Sequence, residues 1–100
     1  MNRTTMDGGW SRYTTKMSQH DMHVLEEATH MINSEDQVEY EPIAVATQIV
    51  SGKNYSFFCN RIIPAHGSRD TEMHEAFYID AYESLDGQVK VTKAGHAELY

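Results

Sequence analysis

Two alternating apolar runs, joined by a short turn-forming segment, constrain the fold of this chain more than any other feature. The first run spans residues 43–50 and the second begins at Tyr55, so that only residues 51–54 lie between them. Alternation of this kind is typical of β-strands that are at least half buried. Within the connecting segment, Gly52 and Asn54 tolerate the positive φ angles that a tight reversal needs. The sequence therefore predicts a β-hairpin whose tip lies in this segment.

The side chains at this tip are unusual for a turn that faces only solvent. Ile49 and Val50 occupy positions where such a turn more often carries Ser, Asp or Lys, and the amide Gln48 precedes them. Apolar side chains at an exposed turn indicate a surface that contacts another molecule. We therefore interpret the hairpin tip as a contact surface.

Upstream of the hairpin, apolar spacing predicts one amphipathic helix over residues 15–33. Its apolar side chains recur at steps of three and four residues, and polar side chains fill the other positions. Thr14, Thr15 or Ser18 is the candidate N-cap, and Ser18 would form a capping box with Asp21. The apolar positions are Met17, Val24, Leu25, Ala28, Met31 and Ile32. We expect this stripe to form part of the core.

Downstream, a loop over residues 64–70 leads to a second predicted hairpin. Residues 73–82 alternate as a third long strand, and residues 89–92 alternate again after Asp86-Gly87. An Asp-Gly pair between alternating strands is a strong hairpin signal. One helix followed by antiparallel hairpins predicts an α+β fold, in which one long helix packs in the concave face of a curved antiparallel sheet of four to five strands.

Length and charge restrict the function further. One hundred residues suit a single domain, which we assign to residues 1–100, with residues 1–9 as a mobile N-terminal arm followed by a short strand at 10–13. The formal net charge is −7 at pH 7, and no basic cluster is present that could neutralise a nucleic-acid backbone. No apolar run is long enough to span a membrane, and the first residues lack the apolar centre of a secretory signal. We expect no nucleic-acid or membrane partner.

The single cysteine does not resemble a catalytic nucleophile. Cys59 lies in the middle of a predicted strand beside Phe57 and Phe58, where burial would raise the pKa of its thiol. It cannot form an internal disulfide, which suits a reducing compartment. No Ser-His-Asp order, phosphate-binding glycine loop or zinc-type cysteine pair is present. We therefore predict that the protein is not an enzyme and needs no cofactor.

Six histidines raise the alternative of a metal site. His20, His23 and His30 lie on the predicted helix, and Glu27 precedes His30 by three residues. Metal sites with this Glu-x-x-His spacing take further carboxylates from facing helices, whereas only one helix is predicted. We interpret these side chains as solvated residues on the outer face of the helix. A metal-binding helix is the less favoured alternative.

Three segments together resemble the cystatins, which are protein inhibitors of papain-like cysteine proteases. Residues 48–52 fit the Gln-x-Val-x-Gly pattern of that family, and the following Asn54-Tyr55 is also similar to it. Two further segments, Gly8-Gly9 upstream and Leu85-Asp86-Gly87 downstream, stand in the order in which cystatins carry their other two contact segments. The resemblance covers residues 8–100. It assigns protease binding to Gly8, Gly9, Gln48, Ile49, Val50, Ser51, Gly52, Leu85 and Asp86.

The resemblance implies a reversible inhibitor that occupies the active-site cleft of cathepsin-type proteases with the N-terminal arm and two hairpin tips. Gly52 would allow close approach of backbone to the cleft wall, and Gln48 would orient the loop by hydrogen bonds. Asp86 departs from the family, because stefins tend to have Leu-Pro there, and it places a charge at the third contact. The alternative is a cystatin-fold interaction module without inhibitory activity.

The absence of a cysteine pair makes the chain most similar to the stefins, the disulfide-free cystatins, and residues 95–100 also resemble a stefin C-terminus. The stefin type implies a cytoplasmic protein, with an extracellular one as the alternative if a signal peptide has been removed. We expect a monomer. A dimer that exchanges strands through the first hairpin is the alternative, and it would bury the inhibitory tip.

Overall fold

The computed structural model describes residues 9–32, 37–65 and 71–97. These residues form one helix and four strands: α1 (Gln19–Ile32), β1 (Glu39–Val50), β2 (Gly52–Ile63), β3 (Met73–Glu83) and β4 (Val89–His96). Gly8 and the rest of the predicted arm before Gly9 lie outside the described residues. So do the predicted end of the helix at residue 33, most of the loop at 64–70 and the last three residues of the tail.

The four strands form one antiparallel sheet in the order β1-β2-β3-β4. Each strand pairs with the next one along the chain, because connections this short allow only antiparallel neighbours to meet. Helix α1 packs on one face of the sheet and lies mainly over β3 and β4. The predicted α+β architecture is therefore confirmed.

The hydrophobic core lies between α1 and this face of the sheet. The buried core side chains are Val24, Leu25, Ala28, Val45, Tyr55, Phe57, Cys59, Phe77, Ile79, Ala81 and Val89. The predicted helical stripe is confirmed at its centre, with Met17 and Ile32 packed at the margin, whereas Met31 is exposed. Cys59 is fully buried, and burial raises the pKa of its thiol to about 12, as expected for an unreactive core residue.

Helix α1 begins at Gln19, four residues after the predicted start at residue 15. Of the three candidate caps, Ser18 is the one that the structure uses. The Asp21 N–H donates to Ser18 Oγ at 3.0 Å, and the Ser18 N–H donates to Asp21 Oδ2 at 3.0 Å. This reciprocal capping box satisfies two of the backbone donors at the start of the helix, which explains why the helix begins there.

The residues before the helix run along the outer edge of β1. Trp10 and Thr14 form isolated antiparallel bridges with Gln48 and Val45. Thr14 and Val45 exchange two backbone hydrogen bonds of 2.9 Å. The short strand predicted at residues 10–13 is therefore present as two separate bridges rather than as a continuous strand. Helix α1 is too short and too polar to cross a membrane, and the described residues include no other helix.

Candidate functional site

Both hairpin tips lie at the same end of the sheet. The first hairpin turns at Ser51 and β2 begins at Gly52, whereas β3 ends at Glu83, just before the second tip. Lys53 pairs directly with Glu83 in the β2–β3 ladder. Since the start of β2 is hydrogen-bonded to the end of β3, the turns that flank them are neighbours in space.

The N-terminal arm reaches the same end. Trp10 bridges Gln48 in antiparallel orientation, so Gly9 lies one step closer to the first tip than Trp10 does. The structure thus brings together three segments that are far apart in sequence. We call this end of the molecule the tip edge; it comprises residues 9–10, 48–52 and 85–87. Gly8, the remaining predicted contact, lies outside the described residues.

The tip edge presents apolar side chains from all three segments. Their exposed fractions are 42% for Trp10, 44% for Ile49, 39% for Val50 and 81% for Leu85. Side chains of this size are more often packed inside a domain, and a group of them on one edge indicates a surface that contacts a partner.

Gly52 is required at the first tip by its contacts within the molecule. Its φ of 104° lies in the region that side-chain-bearing residues rarely adopt. A Cβ at this position would lie 2.5 Å from the backbone oxygen of Glu83 and 2.6 Å from the hydroxyl of Tyr82. The positive φ predicted for Gly52 is therefore confirmed. The close approach that it permits in this structure is to β3 of the same chain.

Asn54 does not take part in the turn, although the sequence predicted that it would. It lies within β2 opposite Gln48, without a positive φ. Its Nδ2 donates to Gln48 Oε1 at 2.8 Å, across the two strands of the hairpin. The Gln48 side-chain oxygen therefore accepts a hydrogen bond that ties the two strands together at the base of the tip.

The second tip is a three-residue turn that Ser84 closes. The Gly87 N–H donates to Ser84 O at 2.9 Å and the Ser84 N–H donates to Gln88 O at 2.8 Å, while Gly87 has a φ of 90°. This arrangement is the common hairpin loop in which a type I turn is followed by a left-handed glycine. The Ser84 hydroxyl also donates to Asp86 Oδ1. Asp86 thus holds the turn together, and Leu85 is the side chain that the turn presents.

Polar contacts hold the start of α1 against the end of β3, next to the tip edge. His20 Nε2 lies 2.9 Å from both carboxylate oxygens of Glu83, and the Tyr55 hydroxyl donates to Glu83 Oε1 at 2.9 Å. Burial alone would raise the pKa of Glu83, but the hydrogen bonds from His20 and Tyr55, together with the nearby Lys53 charge, lower it on balance. The pKa of Tyr55 is raised by its burial and by Glu83.

Two histidines of the helix, His20 and His23, each have a carboxylate neighbour. His20 contacts Glu83, and His23 lies 3.0 Å from Glu27 one turn along the helix. In the part of the chain that the structure describes, no group of three or more His, Cys, Asp or Glu side chains could hold a metal ion. His20 and His23 therefore each lie beside one carboxylate.

Sequence reasoning missed two residues of this site. Trp10 is the only tryptophan of the chain and follows the glycine pair directly, so its position was a usable signal. Tyr82, which contacts the first tip from β3, had no comparable signal, because its contact depends on the pairing of β2 with β3.

No protein-family model, curated protein or solved structure matches the chain.

Proposed function

We propose that this protein is a reversible inhibitor of papain-like cysteine proteases, of the cystatin type. The observation that carries the proposal is that Gly9 and the two hairpin tips lie on one edge of the sheet. The family resemblance requires such a convergence, because all three segments have to enter a single cleft. If Gly9 and the two hairpin tips lay on different edges of the sheet, the proposal would have no structural support.

The mechanism is obstruction of the cleft by a preformed edge. Both tips are closed by hydrogen bonds in the free protein, so little conformational entropy is lost when they dock. Ile49 and Val50 on the first tip and Leu85 on the second supply the apolar contacts. An interface of about 1,600 Å² in total is typical of protease–inhibitor complexes. The buried Cys59 suits a reducing compartment, and we propose a cytosolic location.

The test is a titration of papain activity on a fluorogenic peptide with the purified monomer. Val50→Asp places a charge on the first tip, and Ile43→Asp is its matched control, because both side chains belong to β1 and their exposed fractions are 39% and 42%. We expect Val50→Asp to raise the inhibition constant at least about thirtyfold, the effect of losing a binding hot spot of about 2 kcal/mol. Ile43→Asp should inhibit like the wild type.

Both variants should unfold at temperatures close to that of the wild type, because both positions are exposed. Equal inhibition by the two variants would show that the first tip is not the contact. A wild-type monomer that fails to inhibit at high micromolar concentration would favour the interaction module without protease activity. Gly52 is left unchanged in this test, since a side chain there would overlap the Glu83 backbone and Tyr82.

A further inference from the structure

The two tips are held in different ways. The second tip is closed by four hydrogen bonds within its own turn, and each of them involves Ser84. The first tip reverses within a single residue, Ser51, between the paired residues Val50 and Gly52. The Ser51 carbonyl accepts a hydrogen bond from the hydroxyl of Tyr82, a residue of β3. The first tip is therefore held by a side chain from the strand that leads into the second tip.

Packing at Gly52 is a second, independent contact between Tyr82 and the first tip. The position where a Cβ would stand is 2.6 Å from the Tyr82 hydroxyl and 2.8 Å from Tyr82 Cε1, so the phenol ring lies against the bare glycine backbone. The Lys90 ammonium lies 5.9 Å from the centre of the Tyr82 ring. The ring is thus positioned by contacts that do not involve its hydroxyl.

We propose that Tyr82 is a positioning residue that joins the two hairpin tips into one rigid body. Through its contacts with Ser51 and Gly52, it sets the position of the first tip relative to Leu85, three residues further along the chain. The predicted effect on protease affinity rests on the proposed function, whereas the mechanical coupling of the tips does not.

The test compares Tyr82→Phe with Tyr78→Phe. Phenylalanine at position 82 keeps the ring contacts and removes only the hydroxyl that Ser51 accepts from. Tyr78 lies on the same strand and the same face, with its ring 5.1 Å from that of Phe58, and so controls for the loss of a phenolic hydroxyl. The first readout is the ¹⁵N order parameter of the backbone amides in both tips. The second is the inhibition constant for papain and the dissociation rate of the complex.

We expect Tyr82→Phe to lower the order parameters of Ser51 and Gly52 from about 0.85 towards 0.6, while residues 85–87 keep theirs. Loss of one hydrogen bond should raise the inhibition constant about fivefold, mainly through faster dissociation. Tyr78→Phe should change neither quantity.

Unchanged order parameters at Ser51 and Gly52, or an equal fall in both variants, would overturn the coupling. A mobile first tip with an unaltered inhibition constant would overturn the positioning role. If the wild type does not inhibit papain at all, the proposed function fails, and the order parameters still decide whether Tyr82 couples the tips.

Discussion

At the scale of single residues, three glycines differ in why their positions lack a side chain. Gly52 and Gly87 both have a positive φ, but a Cβ at Gly87 would meet nothing within 4 Å, whereas a Cβ at Gly52 would overlap β3. Gly95 has neither a positive φ nor a close neighbour at that position. Gly52 is therefore restricted by its backbone and by its packing together, Gly87 by its backbone alone, and Gly95 by neither.

Alanine substitutions at the three glycines test this ranking of structural constraint. Gly52→Ala should lower the free energy of unfolding by about 3 kcal/mol, since a left-handed backbone and a steric overlap both oppose the methyl group. Gly87→Ala should cost about 1 kcal/mol for the backbone alone. Gly95→Ala should stay within about 0.5 kcal/mol of the wild type. Urea denaturation measures all three, and a Gly52→Ala as stable as Gly95→Ala would contradict the tip geometry.

Among the elements, α1 owes its start to a local signal that outweighs apolar periodicity. The spacing of apolar residues extends back to Met17, but the reciprocal bonds between Ser18 and Asp21 begin the helix at Gln19. Upstream of the cap, Ser11 and Thr14 are hydrogen-bonded to β1 instead. The competition between capping and strand pairing thus sets the boundary between arm and helix.

Removing the cap should weaken the domain. We expect Ser18→Ala to lower the free energy of unfolding by about 1 kcal/mol, because the Asp21 amide loses its acceptor. Thr15→Ala, at a candidate cap that the helix does not use, should change it by less than about 0.5 kcal/mol. In urea unfolding, the double variant Ser18→Ala/Asp21→Ala should lose less free energy of unfolding than the two single variants lose together. The losses are not additive because the two residues form one reciprocal capping box. Additive losses would contradict the capping box.

In the whole molecule, one carboxylate connects the helix with the core at the end of β3. Glu83 lies at the end of β3 and contacts both His20 at the start of α1 and the buried Tyr55. The side chain of Glu83 is only 12% exposed, so its charge depends on these partners. The packing of α1 against the end of β3 is therefore linked to the ionisation of Glu83.

This linkage predicts a dependence of stability on pH. Because the pKa of Glu83 is lower in the folded state, its contribution is complete above the pKa of an unfolded glutamate, about 4.3, and is lost as pH falls through the folded value. We expect Glu83→Gln to be less stable than the wild type at pH 7 and to lose less stability between pH 5 and about pH 3. Thermal unfolding across this range measures the difference. Glu26→Gln, at an exposed helix position, is the control, and its stability should vary with pH as that of the wild type does. Parallel curves of unfolding temperature against pH for all three proteins would contradict the linkage.

Local chemistry in the sequence was sufficient to predict most elements. Alternation predicted the strands that flank Ser51, the Asp86-Gly87 pair predicted the second hairpin, and helical periodicity predicted α1. These signals succeed because side-chain period and turn geometry depend on neighbouring residues only. Asn54 shows the limit of such signals, because a residue suited to turns takes a strand conformation once its side chain pairs with Gln48.

By itself, the sequence determined the order of one helix and two hairpins, the apolar character of Ile49, Val50 and Leu85, and the inert surroundings of Cys59. Only the tertiary structure decided that Gly9 and both tips share one edge, that Tyr82 holds Ser51, and that Asp86 is used within its own turn. The physical reason is that these contacts join residues brought together by strand register, and register is a property of the assembled sheet rather than of any one segment.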